Sequence, residues 1–288
     1  MDYAERQKPP PGGLYLDHVS HFVADLDGAA RLLAALGFSL APVSVQMHRD
    51  GHGEATAAGA MNRCAMLEEG YLEFLMPSED TPLSREMREA MGRHSGVHLA
   101  ALGTPVPEEE RLRLESRGFA PLNPIALQRE VDVYGERELA RFTVVRVAAN
   151  RMPEGRIQYV EQLTPQHLWQ ERYVAHDNGV TGLAALFVVA DDPVEAGARW
   201  ARFLGGLPRP DSGFVRLEFS RGAVLIGNSG AVEERLGTAP PAPALAGYAL
   251  KCRHPGQFAD RCRKAGLSVN PHGGVSLPPA LGGAWLLT

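Results

Sequence analysis

The stretch LYLDHVSHFV, residues 14–23, decides the fold, because it places two histidines in a run that otherwise has the composition of a buried strand. Side chains alternate between the two faces of a strand, so His18 and His21 cannot point to the same face. A second stretch, SGVHLAALG at residues 95–103, has the same character and carries His98. The repeat matches His98 with His18, and we therefore expect these two histidines, and not His21, to share one site.

The two stretches begin units that have the same order of elements. Residues 14–76 are typical of a strand, a helix, a strand and a closing hairpin, and residues 95–162 repeat this βαβββ order. Two further copies begin near residues 181 and 247. Units of this kind must pair to bury their apolar faces. The sequence predicts an α+β protein of four βαβββ modules in two pairs, 14–162 and 181–288, joined by a connector at 163–180.

Composition excludes several classes of protein. The chain has 288 residues, 44% of them hydrophobic, a formal net charge of −5 and a pI near 6.1, which argues against nucleic acid as the partner. No run of apolar residues indicates a signal peptide or a membrane span, so we expect a cytoplasmic protein without a membrane partner. The three cysteines form no CxxC pair, which argues against a disulfide framework or a thiolate zinc site.

Each of the first two units also places a polar side chain in its last strand, three residues after a glycine. These side chains are Glu73 in GYLE and Gln158 in GRIQ. Taken singly, a buried histidine is most often a hydrogen-bonded core residue, and a strand glutamate most often faces solvent. Together, His18, His98, Glu73 and Gln158 suit one divalent metal ion, which could be nickel, cobalt, iron, manganese or zinc.

His18, Glu73 and Gln158 lie in blocks that resemble the vicinal oxygen chelate superfamily, specifically its glyoxalase-like branch, which is often seen in bacterial proteins. The blocks are LDHVSHFVADLDGAARLLAALGF, NRCAMLEEGYLEFL, MPEGRIQYVEQLTPQHLWQERYVAHDNG and GLAALFVVADDPVEAGARWARFLG. The resemblance implies that each pair of modules curls into a cup-shaped mixed sheet flanked by helices, with a metal inside. It places the first-strand ligands on His18 and His98 and the last-strand ligands on Glu73 and Gln158. Gln158 departs from the commoner glutamate.

The second pair of modules departs further from the ligand pattern. Aligned with the first pair, it offers Ala184 and Ala249 at the histidine positions, and Leu225 and Leu286 at the glutamate positions. None of these side chains can coordinate a metal. We therefore expect one metal site per chain, in the first pair, and a structural role for the second.

The resemblance implies an enzyme whose metal chelates two neighbouring oxygens of a small substrate and stabilises an oxyanion or enolate, as in lyase or isomerase chemistry. Glu73 is then the candidate general base. Two alternatives stay open: an extradiol-type non-haem iron dioxygenase, since two histidines and a carboxylate also form a facial triad, and a metal-free binding or resistance protein. A homodimer is compatible with the pattern. The Gly- and Ala-rich residues 48–63 are expected to form a surface loop or a lid over the site.

Overall fold

The computed structural model describes residues 2–49, 52, 54–148 and 150–288. Two β-sheets flanked by helices make up the described chain, which confirms the predicted α+β class and its two curled mixed sheets. Both sheets combine parallel and antiparallel pairs, because the first and last strands of each module run parallel while the other neighbours run antiparallel.

The first sheet closes into a barrel of eight strands in the order β1-β4-β3-β2-β6-β7-β8-β5. The antiparallel pairing of Met47 with Gln128 and of His48 with Leu127 joins the two modules on one side, and β1 pairs with β5 on the other. The strands are β1 (Tyr15–Phe22), β2 (Ser44–Arg49), β3 (Ala55–Met66), β4 (Tyr71–Pro77), β5 (Gly96–Gly103), β6 (Ile125–Val133), β7 (Glu136–Arg146) and β8 (Arg156–Gln162), and the helices are α1 (Leu26–Ala35), α2 (Pro82–Arg93) and α3 (Pro107–Ser116).

The second sheet has seven strands in the order β10-β11-β12-β9-β13-β15-β14. A short helix, α4 (Glu171–Val174), lies in the connector that precedes it. The strands are β9 (Val180–Val189), β10 (Arg209–Asp211), β11 (Phe214–Glu218), β12 (Ala223–Gly227), β13 (Ala244–Cys252), β14 (Gly274–Ser276) and β15 (Ala284–Leu287), and the helices are α5 (Pro193–Leu204), α6 (Ser229–Leu236) and α7 (Pro255–Lys264).

Helix α6 fills the inner face of the second sheet. Its Val232 and Leu236 are fully buried in one apolar cluster with Phe187, Leu225 and Leu286 of the sheet. Leu225 and Leu286 are two of the four positions at which the sequence analysis found no metal-binding side chain. In the second half, the inner face of the sheet is therefore covered by a helix. In the first half, the corresponding face encloses a cavity.

Helix α2 was not anticipated from the sequence, although its start carries clear signals. Thr81 caps the helix by accepting from the Ser84 backbone N–H, and the Ser84 hydroxyl accepts from the Thr81 N–H in return, which forms a capping box. Pro82 occupies the first helical position, where its missing N–H costs nothing. The helix packs against β3 and β4 and buries Met87.

The predicted surface loop at 48–63 is wrong for most of its length. His48 lies in β2, and residues from Ala55 onward lie in the long strand β3, while residues 50, 51 and 53 are outside the described part of the chain. The small side chains are explained by close packing beneath α2. Ala58 and Ala60 are almost fully buried, and a Cβ on Gly59 would lie 1.9 Å from Thr81 Oγ1.

His21 joins the two halves through the outer face of β1. Its ring is fully buried between Phe74 and Tyr248, at centroid distances of 5.3 and 5.6 Å. Nδ1 donates to the carbonyl oxygen of Leu281 at 3.1 Å, so Nε2 is the acceptor for the Tyr248 hydroxyl at 3.0 Å. Burial lowers the pKa of His21 to about 4, and this histidine therefore has a neutral structural role.

The connector is held mainly against the first half. Trp169 Nε1 donates to the carbonyl oxygen of Leu67, and His176 donates from Nε2 to the carbonyl oxygen of Met66 at 2.8 Å. The other ring nitrogen of His176 accepts from the backbone N–H of Ser39.

Among the described residues, no helix combines the length and the apolar character that a membrane crossing requires.

Candidate active site

A cavity inside the barrel is lined by both apolar and polar side chains. Its apolar wall is formed by residues from the strands and by Leu83 and Met87 of α2. The polar residues that line it come from six strands of the barrel: His18, Gln46, Tyr71, Glu73, Gln128, Arg129, Arg146, Arg156 and Gln158. Three of the four predicted ligands, His18, Glu73 and Gln158, therefore face one cavity.

His18 is held in a defined orientation by its neighbour in sequence. Its Nδ1 lies 2.6 Å from the Oδ1 atom of Asp17, a fully buried carboxylate that also accepts from Gln162 Nε2 at 3.0 Å. Because a carboxylate can only accept, Nδ1 carries the hydrogen, and the lone pair of a neutral imidazole is then at Nε2. That Nε2 atom lies 3.8 Å from Glu73 Oε2. Tyr71 stacks on the ring at 4.4 Å between centroids.

Glu73 is the one carboxylate among the described residues that line the cavity, and it is 3% exposed. Its Oε1 accepts from Asn62 Nδ2 at 2.5 Å and from Gln46 Nε2 at 3.2 Å, while its Oε2 accepts from Ser20 Oγ at 2.5 Å. Asn62 is itself fixed, since its Oδ1 accepts from Arg129 Nη1 at 2.7 Å. Neutral donors therefore hold a buried carboxylate in place and leave Oε2 facing His18.

Gln158 presents its amide oxygen to the same cavity. The Oε1 atom accepts from Arg146 Nε at 3.1 Å, and the two residues are direct cross-strand neighbours in β7 and β8. An amide oxygen has two lone pairs, so one stays available. Glu161, three residues further along β8, is not among the described residues that line the cavity.

His98 does not join these three residues. Its Nε2 donates to the backbone oxygen of His94 at 3.0 Å, and its ring stacks on Phe22 at 5.0 Å. It lines an adjoining cavity with Arg93 and Glu86. Burial, followed by the charge of His94, lowers the pKa of His98 to about 3, so it is neutral near pH 7.

The strand register explains why His98 lies outside the cavity. In the pairing of β1 with β5, Asp17 is an extra residue between Leu16 and His18, and His98 is an extra residue between Val97 and Leu99. Each is a β-bulge, which shifts the alternation of faces by one residue. The bulges match Asp17 with His98, and therefore His18 with Leu99, which corrects the expectation that His98 corresponds to His18.

The last strands follow the predicted correspondence. Glu73 is the neighbour of Ser20, three residues after the bulge in β1, and Gln158 is the neighbour of Ala101, three residues after the bulge in β5. Glu73 and Gln158 therefore occupy equivalent positions. The register agrees with the equivalence that the spacing from the preceding glycines indicated.

The second sheet contains the same two irregularities, at Ala184 and Ala246. Leu225 and Leu286 are the neighbours of Phe187 and Ala249, again three residues after each bulge, so both are at the glutamate positions as predicted.

The two first-strand positions in this half lie one and two residues away from those expected. The position of His18 corresponds to Ala185 instead of Ala184, and that of Leu99 corresponds to Gly247 instead of Ala249, because the bulges shift the alignment. No side chain at these positions can bind a metal.

Three arginines line the cavity, and the sequence analysis did not identify them. Burial lowers the pKa of Arg146 to about 9, with a further contribution from the charge of Arg156, whose own pKa is lowered by burial. Burial disfavours the charged form of Arg129 as well, but Cys64, Tyr71 and Glu73 more than offset it and raise the pKa. Strand alternation could have identified Arg129, because it follows the inward-facing Leu127 by two residues and so lies on the same face of the strand.

The candidate donor set for a metal is thus one imidazole, one carboxylate and one amide. Across the described ranges, no group of three or more His, Cys, Asp or Glu side chains is placed to hold a metal ion. His18, Glu73 and Gln158 nevertheless fit a divalent cation in their chemistry, because nitrogen and oxygen donors face one cavity and three protein ligands leave positions for a substrate.

Comparison with known proteins agrees with this fold. A family model described as a glyoxalase-like domain matches residues 16–204. The chain belongs to the glyoxalase-like domain family. That family resemblance covers the whole barrel, the connector and the first helix of the second half, and a search of curated proteins finds no significant match.

Solved structures extend the likeness to the rest of the chain. A hypothetical protein from Staphylococcus aureus is 12% identical with a TM-score of 0.62, covering 96% of this chain and 99% of that one. The Mn(II)-bound glyoxalase from Novosphingobium aromaticivorans is 10% identical with a TM-score of 0.55, covering 96% and 82%. A variant of 4-hydroxymandelate synthase from Streptomyces coelicolor is 14% identical with a TM-score of 0.53, covering 90% and 77%. These neighbours confirm the vicinal oxygen chelate fold.

Proposed function

We propose that the protein is a divalent-metal-dependent enzyme of the glyoxalase type, with lyase or isomerase chemistry on a small molecule that has two neighbouring oxygens. The observation that supports it most is the pair formed by His18 Nε2 and Glu73 Oε2. These two atoms lie 3.8 Å apart, and the hydrogen bond between Nδ1 and Asp17 directs Nε2 toward the Glu73 carboxylate. A nitrogen donor and an oxygen donor that face each other in this way could share one divalent cation.

In this proposal His18, Glu73 and Gln158 hold the metal. A bound divalent cation would act as a Lewis acid that polarises substrate oxygens and orients them. Asp17 fixes the tautomer of His18, which is the usual role of a carboxylate behind a metal-binding imidazole. Asn62 and Gln46 hold the other oxygen of Glu73, so the carboxylate keeps its orientation.

Glu73 is also the candidate general base. It is the one carboxylate that the described residues contribute to the cavity lining, and it would accept a proton from the substrate at Oε2 once that oxygen has left the metal. The apolar wall and the covering helix α2 limit the access of water to this carboxylate.

The dioxygenase alternative has less support from the geometry. A facial triad needs a second histidine beside His18, whereas His98 lies at a bulge and lines the adjoining cavity. The likeness to 4-hydroxymandelate synthase concerns the fold alone at 14% identity.

The proposal is tested by measuring metal content and affinity after purification without nickel resin or chelator. Calorimetric titration with Mn²⁺ and Zn²⁺ should show that His18→Ala and Glu73→Gln each lower affinity at least about tenfold, while His98→Ala stays close to wild type. Gln158→Glu should tighten binding, because a carboxylate binds a cation more strongly than an amide.

Two results would contradict the proposal. Equal losses from His18→Ala and His98→Ala would show that both histidines bind the metal and would favour the facial triad. Wild-type protein that binds neither ion would favour a metal-free binding protein.

A further inference from the structure

The cavity in the barrel has an excess of positive charge. Arg129, Arg146 and Arg156 all line it, and Glu73 is the single carboxylate that the described lining residues supply. Arg129 donates hydrogen bonds from Nη1 to Asn62, Ser44 and Cys64. It therefore holds in place the side chains that surround Glu73. Arg146 and Arg156 form no hydrogen bond with Glu73 or with the side chains that hold it.

Arg146 is a partly buried cation that forms no close ion pair with a described residue, although the charges of Glu86 and Glu73 act on it from further away. Its Nε donates to Gln158 Oε1, and neither Nη1 nor Nη2 forms a hydrogen bond or an ion pair with any described residue. A guanidinium removed from water without a paired anion is costly to the folded protein.

Arg156 has one partner, and that partner is on the surface. Its Nη2 donates to Glu86 Oε2 at 2.6 Å, and the Glu86 side chain is 65% exposed while that of Arg156 is 17% exposed. Arg146 and Arg156 both line the barrel cavity and also the adjoining cavity that contains His98. The two arginines therefore stand where the two cavities meet.

The cavity that Arg146 and Arg156 line also has apolar side chains in its wall, including Leu99, Phe142 and Val160. Guanidinium groups present hydrogen-bond donors in a planar arrangement that matches a carboxylate.

We propose that Arg146 and Arg156 form an oxyanion subsite, and that the substrate is a small organic acid whose carboxylate binds there while its apolar body contacts the cavity wall. This inference rests on the proposed function for the reaction itself, but the subsite binds its anion whether or not a metal is present. An anion bound at this subsite would offset the excess positive charge of the cavity.

The test uses metal-stripped protein and a probe that cannot chelate through two neighbouring oxygens. We choose 4-methylpentanoate, with the neutral amide 4-methylpentanamide as its matched partner, and measure both by calorimetric titration. Wild-type protein should bind the acid at least about tenfold more tightly than the amide, and Arg146→Gln should abolish this difference. Arg156→Gln should reduce it.

The control variant is Arg141→Gln. Arg141 lies on β7 with Arg146 but does not line the cavity, so its loss removes the same charge from the same strand. Acid binding should be unchanged in this variant. Equal affinity for acid and amide in the wild type, or an equal effect of Arg141→Gln and Arg146→Gln, would overturn the subsite. Tighter competition by inorganic phosphate than by the acid would overturn the choice of a carboxylate.

The metal-binding proposal fails separately. His18→Ala should leave the affinity for 4-methylpentanoate within about twofold of the wild type, because His18 takes no part in the subsite. If the wild type binds no metal and still distinguishes acid from amide, the proposed function is wrong and the subsite stands. If the metal binds as proposed and Arg146→Gln has no effect, the subsite is wrong.

Discussion

The buried His21 should make the folded protein less stable as the pH falls. Folding lowers the pKa of this fully buried histidine from 6.5 to about 4. Above pH 6.5 both the folded and the unfolded states hold a neutral ring, and the histidine contributes no pH dependence. Between pH 6.5 and about pH 4 the ring is protonated in the unfolded state but not in the folded state. The free energy of unfolding therefore decreases as the pH falls through this range.

The size of the effect follows from the shift. A difference of one pKa unit corresponds to about 1.4 kcal/mol, so His21 should account for a loss of about 2 kcal/mol between pH 7.5 and pH 5, and about 3 kcal/mol by pH 4. Urea denaturation of the metal-free protein across this range measures the loss. His98 and His176 also have lowered pKa values, so the slope of the wild type alone would not isolate His21.

A His21→Gln variant isolates it. Glutamine keeps a donor for the Leu281 carbonyl and an acceptor for the Tyr248 hydroxyl, but it does not titrate. The wild type should lose about 2 kcal/mol more than this variant between pH 7.5 and pH 5. Parallel loss of stability in the two proteins would refute the conclusion that the buried ring excludes its proton.

Two further predictions concern the neighbourhood of the site. Asp17→Asn should lower metal affinity about 10- to 100-fold, because the acceptor that orients His18 is weakened, and competition with a chelating dye would show an unchanged affinity if Asp17 has no such role. Gly70→Ala should destabilise the fold by about 1–3 kcal/mol, because φ is +82° and the new Cβ would lie 2.6 Å from the Asp17 carbonyl oxygen. Gly135→Ala has a φ of +95° and no atom within 4 Å, so thermal unfolding of this control separates the backbone penalty from the clash. Equal effects of the two glycine substitutions would show that the clash is absent.

The sequence predicted the module order because the repeated strand and helix patterns are local. Glu73 and Gln158 were matched correctly, since β4 and β8 are regular strands and each residue follows a glycine by the same interval. His98 was matched to His18 by the same kind of counting, and a β-bulge made that count wrong by one. A bulge adds a residue without changing the apolar character of the strand, so composition does not reveal it.

Other features of the site depended on contacts that are distant in sequence. Asp17 was not expected to matter because simple alternation places it on the face opposite His18. The bulge at Asp17 instead brings its carboxylate to His18 Nδ1. The closure of the barrel depends on β2 meeting β6 about eighty residues later in the chain. Arg129 and Arg146 meet the cavity only because this closure has occurred.

The helix that fills the second sheet gives the two halves of the molecule different dependence on small molecules. Val232 and Leu236 cover the inner face of the second sheet. The packing of this face therefore uses only side chains of the protein and needs no ligand. The barrel keeps His18, Glu73 and Arg146 facing a cavity, which the proposed metal and substrate would complete. A cell that varies its supply of metal or substrate would therefore change the rigidity of the first half alone, while the second half acts as a fixed frame on which β1 and β5 rest.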